Sequence, residues 1–119
     1  SRFAVEQAMI ERWLAGVEQG IRTQWQLGHE IAECGRLIKG YGSTNERGKD
    51  NLLHVLDHLA TAAAFETPEQ RAAAIRAARV AALADDAGKA LDQALVQHGA
   101  PARPVKPQPI QWYKRRPAS

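Results

Sequence analysis

The fold is decided by the stretch RLIKGYGSTNERG, residues 36–48, which has the pattern of a helix end, a glycine-flanked turn and a helix start. Lys39 followed by Gly40 is a usual helix stop, because a basic last turn and then a glycine suit a helix C-terminus. Ser43 and Glu46 have the spacing of a capping box, in which the Ser hydroxyl accepts from the Glu46 amide and the Glu46 carboxylate reaches back. The stretch therefore predicts a corner between two helices.

Two amphipathic helices are predicted before this corner, over about residues 3–21 and 24–39, because apolar residues recur there at offsets of three and four. The first helix carries two adjacent apolar lines, Met9–Trp13–Val17–Gly20 and Ile10–Leu14–Val17–Ile21. The second has a stripe formed by Leu27, Ile31, Cys34 and Ile38, with Leu37 on its flank. Gly28 and Gly35 lie on nearly one face of that helix, where small residues let a neighbouring helix approach closely.

Helical spacing continues after the corner. A third helix is predicted from Ser43 to about Ala64, with inward positions at Leu52, Leu56, Leu59 and Ala63. Thr67-Pro68-Glu69 then supplies a cap residue, a proline at the first helical position and an acid in the first turn. The alanine-rich segment that follows has large anchors at Ile75, Leu83, Leu91 and Leu95, and Asp85–Gly88 is its natural break. We expect an all-α fold, a helical bundle of four to five helices over residues 1–98.

A proline-rich, basic arm is predicted over residues 99–119, because this segment holds five prolines, which exclude helix and central strand. Ile110, Trp112 and Tyr113 add apolar mass, so we expect part of the arm to dock on the helices. The arm has five basic and no acidic residues, whereas residues 1–98 have 11 basic and 13 acidic residues, within a net charge of +3 for the chain. A nucleic-acid footprint over the whole domain is therefore not expected.

Composition limits the class of protein. No apolar run approaches the roughly 20 residues that span a bilayer, so no membrane association is expected. The single cysteine, Cys34, cannot form an internal disulfide or hold an iron–sulfur cluster, which needs about four ligands. One reduced thiol suits the cytoplasm. Because the chain opens at Ser1 without an initiator Met, we expect a processed or excised piece of a larger protein.

A candidate anion site lies at the corner itself. Free backbone N–H groups at the start of the third helix favour an anion, and nearby cations add positive charge. The candidate residues for binding a phosphate or carboxylate are Lys39, Gly42, Ser43, Thr44, Arg47 and Lys49. The competing and commoner interpretation is a structural corner whose glycines supply positive φ, and a corner packed shut by Tyr41 would exclude the anion site.

Three other groups of residues carry weaker signals. His54 and His58 share a helix face, but zinc needs about two more ligands and no partner motif is present, so no metal site is predicted. Cys34 points away from His29 on the same helix, and it is predicted to be a small core residue rather than a nucleophile. The aromatic and basic residues 112–116 have the composition of a nucleic-acid contact, although packing on protein is the preferred interpretation.

The corner resembles a segment of a known enzyme family. Arg36–Gly42, Thr44, Arg47–Gly48 and Asn51 resemble the C-terminal region of the beta-subunit-like part of indolepyruvate ferredoxin oxidoreductases, in the 2-oxoacid:acceptor oxidoreductase group. A fainter similarity lies at residues 83–92. The family pattern has an Asp where Ser43 stands.

The resemblance implies a parent enzyme that oxidatively decarboxylates arylpyruvates to acyl-coenzyme A and reduces ferredoxin. It implies that thiamine diphosphate and iron–sulfur clusters belong to other regions of that parent, so no cofactor and no catalytic residue is predicted in this chain. The predicted role is a non-catalytic helical domain that packs against other domains or subunits. The remaining hypotheses are a phosphate- or coenzyme-binding module at residues 40–48, and a protein or nucleic-acid adaptor that uses the arm. Self-association is a further hypothesis, because alanine-rich faces pack closely against a partner.

Overall fold

The structure is a computed structural model that describes residues 1–105. Its five α-helices are α1 (Arg2–Thr23), α2 (Trp25–Glu33), α3 (Gly42–Val55), α4 (Pro68–Ala84) and α5 (Lys89–Gln97). A 3₁₀ turn, Cys34–Leu37, follows α2, and a π-helix, Leu56–Ala62, continues α3. No strand occurs within residues 1–105. The all-α helical bundle is confirmed.

Helices α1 and α2 form a close antiparallel hairpin whose contact face is made by glycines. A Cβ atom at Gly28 would lie 2.5 Å from the backbone nitrogen of Ile21, and one at Gly35 would lie 2.8 Å from the Trp13 ring. The Trp13 indole N–H donates to the Ile31 carbonyl at 2.9 Å, which ties the same two elements together. The predicted close approach at Gly28 and Gly35 is confirmed, and its neighbour is α1.

The two apolar lines of α1 have different environments. Met9 and Gly20 are buried, and Trp13 and Val17 are packed against the core, as the first line predicts. Ile10, Leu14 and Ile21 are exposed, so the expectation that the second line joins the same packed face is wrong. The reason is that the α1–α2 contact runs along the glycine side of the helix, which turns the neighbouring line outward.

The second predicted helix ends earlier than expected. Helix α2 stops at Glu33, and the chain tightens into the 3₁₀ turn before Gly40. Helix α3 crosses closely at this point, because a Cβ at Gly48 would overlap the Leu37 carbonyl oxygen. The apolar stripe is nevertheless correct, since Leu27, Ile31 and Cys34 are buried.

The capping box at Ser43 is wrong. Helix α3 begins one residue earlier, at Gly42, and its cap position, Tyr41, makes no side-chain capping hydrogen bond. Gly42 has a φ of +58°, so the glycine itself makes the turn into the helix. The Glu46 carboxylate accepts instead from Arg2 at 3.3 Å and from Lys49 at 3.5 Å.

The second half of the bundle follows the predicted signals. The Thr67 hydroxyl accepts from the Gln70 amide at 3.1 Å, with Pro68 at the first helical position. The segment is two helices, because Asp85 ends α4 and Gly88, with a φ of +88°, starts α5. Ile75, Leu91 and Leu95 are fully buried against Leu52 and Leu59 in one core.

A buried ion pair joins α2 to α4. The side chains of Glu30 and Arg79 are 3% and 10% exposed, and the Arg79 guanidinium donates directly to the Glu30 carboxylate. Gln26 donates to the other carboxylate oxygen at 3.2 Å. The pair fixes how the second half of the bundle sits on the first. No helix within residues 1–105 is long and apolar enough to cross a membrane.

Candidate functional site

The predicted anion site is an open corner. Tyr41 is 94% exposed and does not close it. Gly42 and Ser43 stand at the exposed start of α3, and the Thr44 hydroxyl accepts from Arg47 at 3.4 Å. The corner therefore brings together Gly42, Ser43, Thr44 and Arg47 on the first turns of α3.

The two lysines of this site are engaged by acidic residues. The Lys39 ammonium lies 3.7 Å from Asp86, in the turn between α4 and α5. Lys49 pairs with Glu6 of α1 and with Glu46 of its own helix, α3, and its side chain is 14% exposed. Hydrogen bonding to Glu6 raises the pKa of Lys49, and the same contact lowers the pKa of the Glu6 carboxyl. Arg47 is the candidate cation at the corner whose charge has no acidic partner among residues 1–105.

The first residues of the arm are clasped to the bundle by Arg103. Its guanidinium donates to both oxygens of Asp92, at 2.9 and 3.2 Å, in the two-pronged geometry that makes such pairs strong. It also donates to Asn51 of α3 at 3.3 Å. The hydrogen bond from Arg103 is the main cause that lowers the pKa of the Asp92 carboxyl. Arg103 thus connects α3, α5 and the arm, which sequence spacing did not reveal.

A cavity of about 560 Å³ opens beside this clasp. Its lining comes from the polar side of α3, from Ala87 and Asp92, and from residues 103–105. Arg47, Asp50, His54 and Asp57 contribute its ionisable side chains on α3 and the π-helix. Basic and acidic side chains alternate along this wall, so the cavity favours neither anionic nor cationic ligands.

The two histidines on α3 and the π-helix lie together. Their ring centroids are 4.3 Å apart, and a ring nitrogen of His54, Nε2, is 2.8 Å from the carbonyl oxygen of Pro101. His54 is thereby part of the contact between α3 and the arm. Within residues 1–105, no three His, Cys, Asp or Glu side chains are grouped so as to hold a metal ion.

Cys34 is a core residue, as predicted. Its side chain is fully buried, and burial raises the pKa of the thiol to about 12. One buried thiol does not fit the ligand set of an iron–sulfur cluster, which needs about four cysteines.

One structural feature, the buried ion pair of Glu30 and Arg79, was missed in the sequence analysis but had a signal in the sequence. Glu30 lies on the stripe of Leu27, Ile31 and Cys34, and Arg79 lies among Ile75, Ala78 and Ala82. A charged residue inside the apolar stripe of each of two helices indicates a buried ion pair, because buried charges are paired. The docking expected from Ile110, Trp112 and Tyr113 lies outside the described residues.

Comparisons with known proteins give one partial match. No curated protein and no solved structure matches the chain. Residues 1–58 match a family of unknown function, DUF6537. These residues hold α1, α2, the 3₁₀ turn, α3 and the first residues of the π-helix. Over this part, which includes the corner but not α4, α5 or the arm, the chain is similar to that family.

Proposed function

We propose that the chain is a non-catalytic helical domain of a 2-oxoacid ferredoxin oxidoreductase of the indolepyruvate type. Its role is to pack against other domains or subunits of that enzyme. As the resemblance implies, thiamine diphosphate and iron–sulfur clusters are held elsewhere in the parent. The single, buried cysteine of this chain is too few for an iron–sulfur cluster, which needs about four ligands.

One observation carries the proposal: the two segments that resemble the family, residues 36–51 and 83–92, are one unit in space. Lys39 pairs with Asp86 across them, at 3.7 Å. Arg103 bridges Asn51 of the first segment and Asp92 of the second. These contacts place both segments on one packed surface, which supports a scaffold role.

A second observation supports packing against a larger protein. Helix α1 exposes large apolar side chains at helical spacing along one side, namely Phe3, Ile10, Leu14 and Ile21, and Trp25 at the start of α2 is exposed as well. Trp25 is 67% exposed and stacks on His29, with ring centroids 5.0 Å apart. A cluster of exposed apolar residues on a protein surface often marks a site of interaction with another protein. The occupant proposed for this surface is an apolar face of the parent enzyme.

The proposal is tested by purifying the native parent through a tag on this chain and measuring bound thiamine diphosphate and iron. We expect both in stoichiometric amounts, and a parent that contains neither contradicts the proposal. Leu14→Asp should then release the parent's other parts, because it places a charge in the apolar surface. Val80→Asp is the matched control, since Val80 is 52% exposed on α4 and Leu14 is 53% exposed.

The alternative, an anion site at the corner, has narrower support. The open geometry at Tyr41 and the charge of Arg47 favour it, whereas Lys39 and Lys49 are already paired. Titration with inorganic phosphate, followed by amide chemical shifts, tests it. Saturable shifts at residues 42–44 that vanish in Arg47→Ala, with helicity retained, would favour the anion site over the packing role.

The adaptor hypothesis rests on the arm. Arg103, one of its five basic residues, is used inside the fold. Binding to a nucleic acid that falls steeply with added salt and disappears when residues 106–119 are removed would favour an adaptor.

A further inference from the structure

A second groove, of about 440 Å³, lies on the opposite side of α1 from its exposed apolar side chains. Its floor is apolar and is made by Gly16, Gly20, Leu27, Ile31, Leu56 and Ala60. It follows α1 from Arg12 to Thr23, which is about 16 Å at the rise of an α-helix. Its volume lies within the range of small-molecule sites, and its shape suits an extended chain rather than a globular ligand.

Two guanidinium groups line this groove, and one of them, that of Arg12, has an acidic partner within residues 1–105. Arg12 pairs with Asp57. The Arg71 guanidinium lies over the Phe65 ring, 4.9 Å from the ring centroid, and donates one hydrogen bond to the Leu59 carbonyl at 2.7 Å. No carboxylate of residues 1–105 lies within salt-bridge distance of Arg71, whose side chain has five N–H donors. The groove therefore has an excess positive charge at Arg71.

The π-helix holds Arg71 at the edge of this groove. The last carbonyls of a helix need hydrogen-bond partners outside the helix, and the carbonyl of Leu59 is one of these groups in the π-helix. Arg71 satisfies that carbonyl, while the Thr61 hydroxyl satisfies those of Leu56 and Asp57. Segments of π-helix are rare and frequently occur at functional sites. Here the π-helix supplies Leu56, Ala60 and Thr61 to the groove and fixes its unpaired cation.

We propose that this groove binds a small carboxylate with an extended apolar chain, such as a medium-chain acyl carboxylate. The chain lies on the glycine and aliphatic floor, and the carboxylate accepts hydrogen bonds from Arg71. A site of this kind does not depend on the identity of the parent enzyme.

The test uses the 119-residue chain, with octanoate below its micelle-forming concentration as the probe and amide chemical shifts as the readout. We expect saturable shifts confined to the groove, and an affinity that rises about threefold to fourfold for each added methylene until the groove is filled. Octanamide, which has the same chain without the charge, should bind about tenfold more weakly, because a charge-assisted bond to Arg71 is lost.

Two variants separate this site from a general apolar effect. Arg71→Gln should weaken octanoate binding about tenfold and leave octanamide binding unchanged. Arg76→Gln is the matched control on the same helix, because Arg76 is exposed and does not line the groove. Gly16→Ala keeps the fold testable, since its added methyl would lie 3.6 Å from Ile31 and Leu56, and it should weaken the binding of both probes.

Three results would overturn the proposal. They are the absence of saturable octanoate binding, equal affinities for octanoate and octanamide, and equal losses in Arg71→Gln and Arg76→Gln. In the first case an apolar segment of a partner protein becomes the better occupant of the groove.

Discussion

Removing one member of the Glu30–Arg79 pair should destabilise the domain more than any surface substitution. In Arg79→Met the Glu30 carboxylate stays 3% exposed, with only the Gln26 amide as partner. Breaking a buried pair in this way costs about 3–5 kcal/mol, because it leaves an uncompensated buried charge. A domain of this size has a free energy of unfolding of about 5–15 kcal/mol, so the loss is a large fraction of the total.

Replacing both members should restore most of the loss. Glu30→Met with Arg79→Met removes the charges together, and such replacements are neutral or stabilising by about 1–4 kcal/mol. Urea unfolding followed by helical circular dichroism measures all three variants, and the double-mutant cycle gives the coupling energy. Arg22→Met is the control, since the Arg22–Glu18 pair is exposed and should contribute about 0.5 kcal/mol or less.

A loss in Arg79→Met no larger than that in Arg22→Met would contradict a buried, mutually dependent pair. Additive losses in the double variant would also refute it, because they would mean that the two side chains do not interact across α2 and α4.

Three further predictions follow from contacts in the bundle. Gly28→Ala should lower the free energy of unfolding by about 1–3 kcal/mol, because the added methyl overlaps Ile21 of α1. Gly16→Ala should raise the free energy of unfolding by up to about 1 kcal/mol, because its methyl fits without overlap and alanine favours a helix. The same urea titration measures both variants, and equal effects would contradict the close approach of α1 and α2. Asp92→Asn should cost about 1 kcal/mol near neutral pH. Arg103 lowers the pKa of Asp92, so this loss of stability is present above the unfolded-state pKa of about 3.9 and disappears as the pH falls through the lowered folded-state pKa. Unfolding at several pH values measures the loss, and a loss that persists in acid would count against the pairing. Cys34, whose pKa is raised to about 12, should react with iodoacetamide at neutral pH only after unfolding, and rapid labelling of the native chain would show that it is accessible.

Helix positions were predictable where a local signal sets them. The Thr67–Pro68 start and the break at Asp85–Gly88 depend on cap chemistry and on a glycine with positive φ, which act within a few residues. The apolar stripe of α2 was predictable for the same reason, since Leu27, Ile31 and Cys34 recur with the helical period.

The remaining features depend on which elements meet, and periodicity does not contain that information. The Glu46 carboxylate, which the capping box assigned to the helix start, pairs instead with Arg2 of α1 and with Lys49 on its own helix. The clasp of Arg103 reaches Asn51 across 52 positions of the sequence. The glycine turn at Gly42 was predictable from the local sequence. The ion pairs of Lys39 and Lys49 were not, because their partners Asp86 and Glu6 lie far away in the sequence.

We propose that this chain belongs to an enzyme that oxidises 2-oxoacids, and the activity of the purified parent tests this proposal most directly. The measurement is coenzyme A-dependent reduction of ferredoxin by indolepyruvate, with the parent isolated through this chain. We expect ferredoxin reduction that requires both indolepyruvate and coenzyme A. A parent that contains this chain and its bound cofactors, yet reduces no ferredoxin with indolepyruvate or another arylpyruvate, would contradict it.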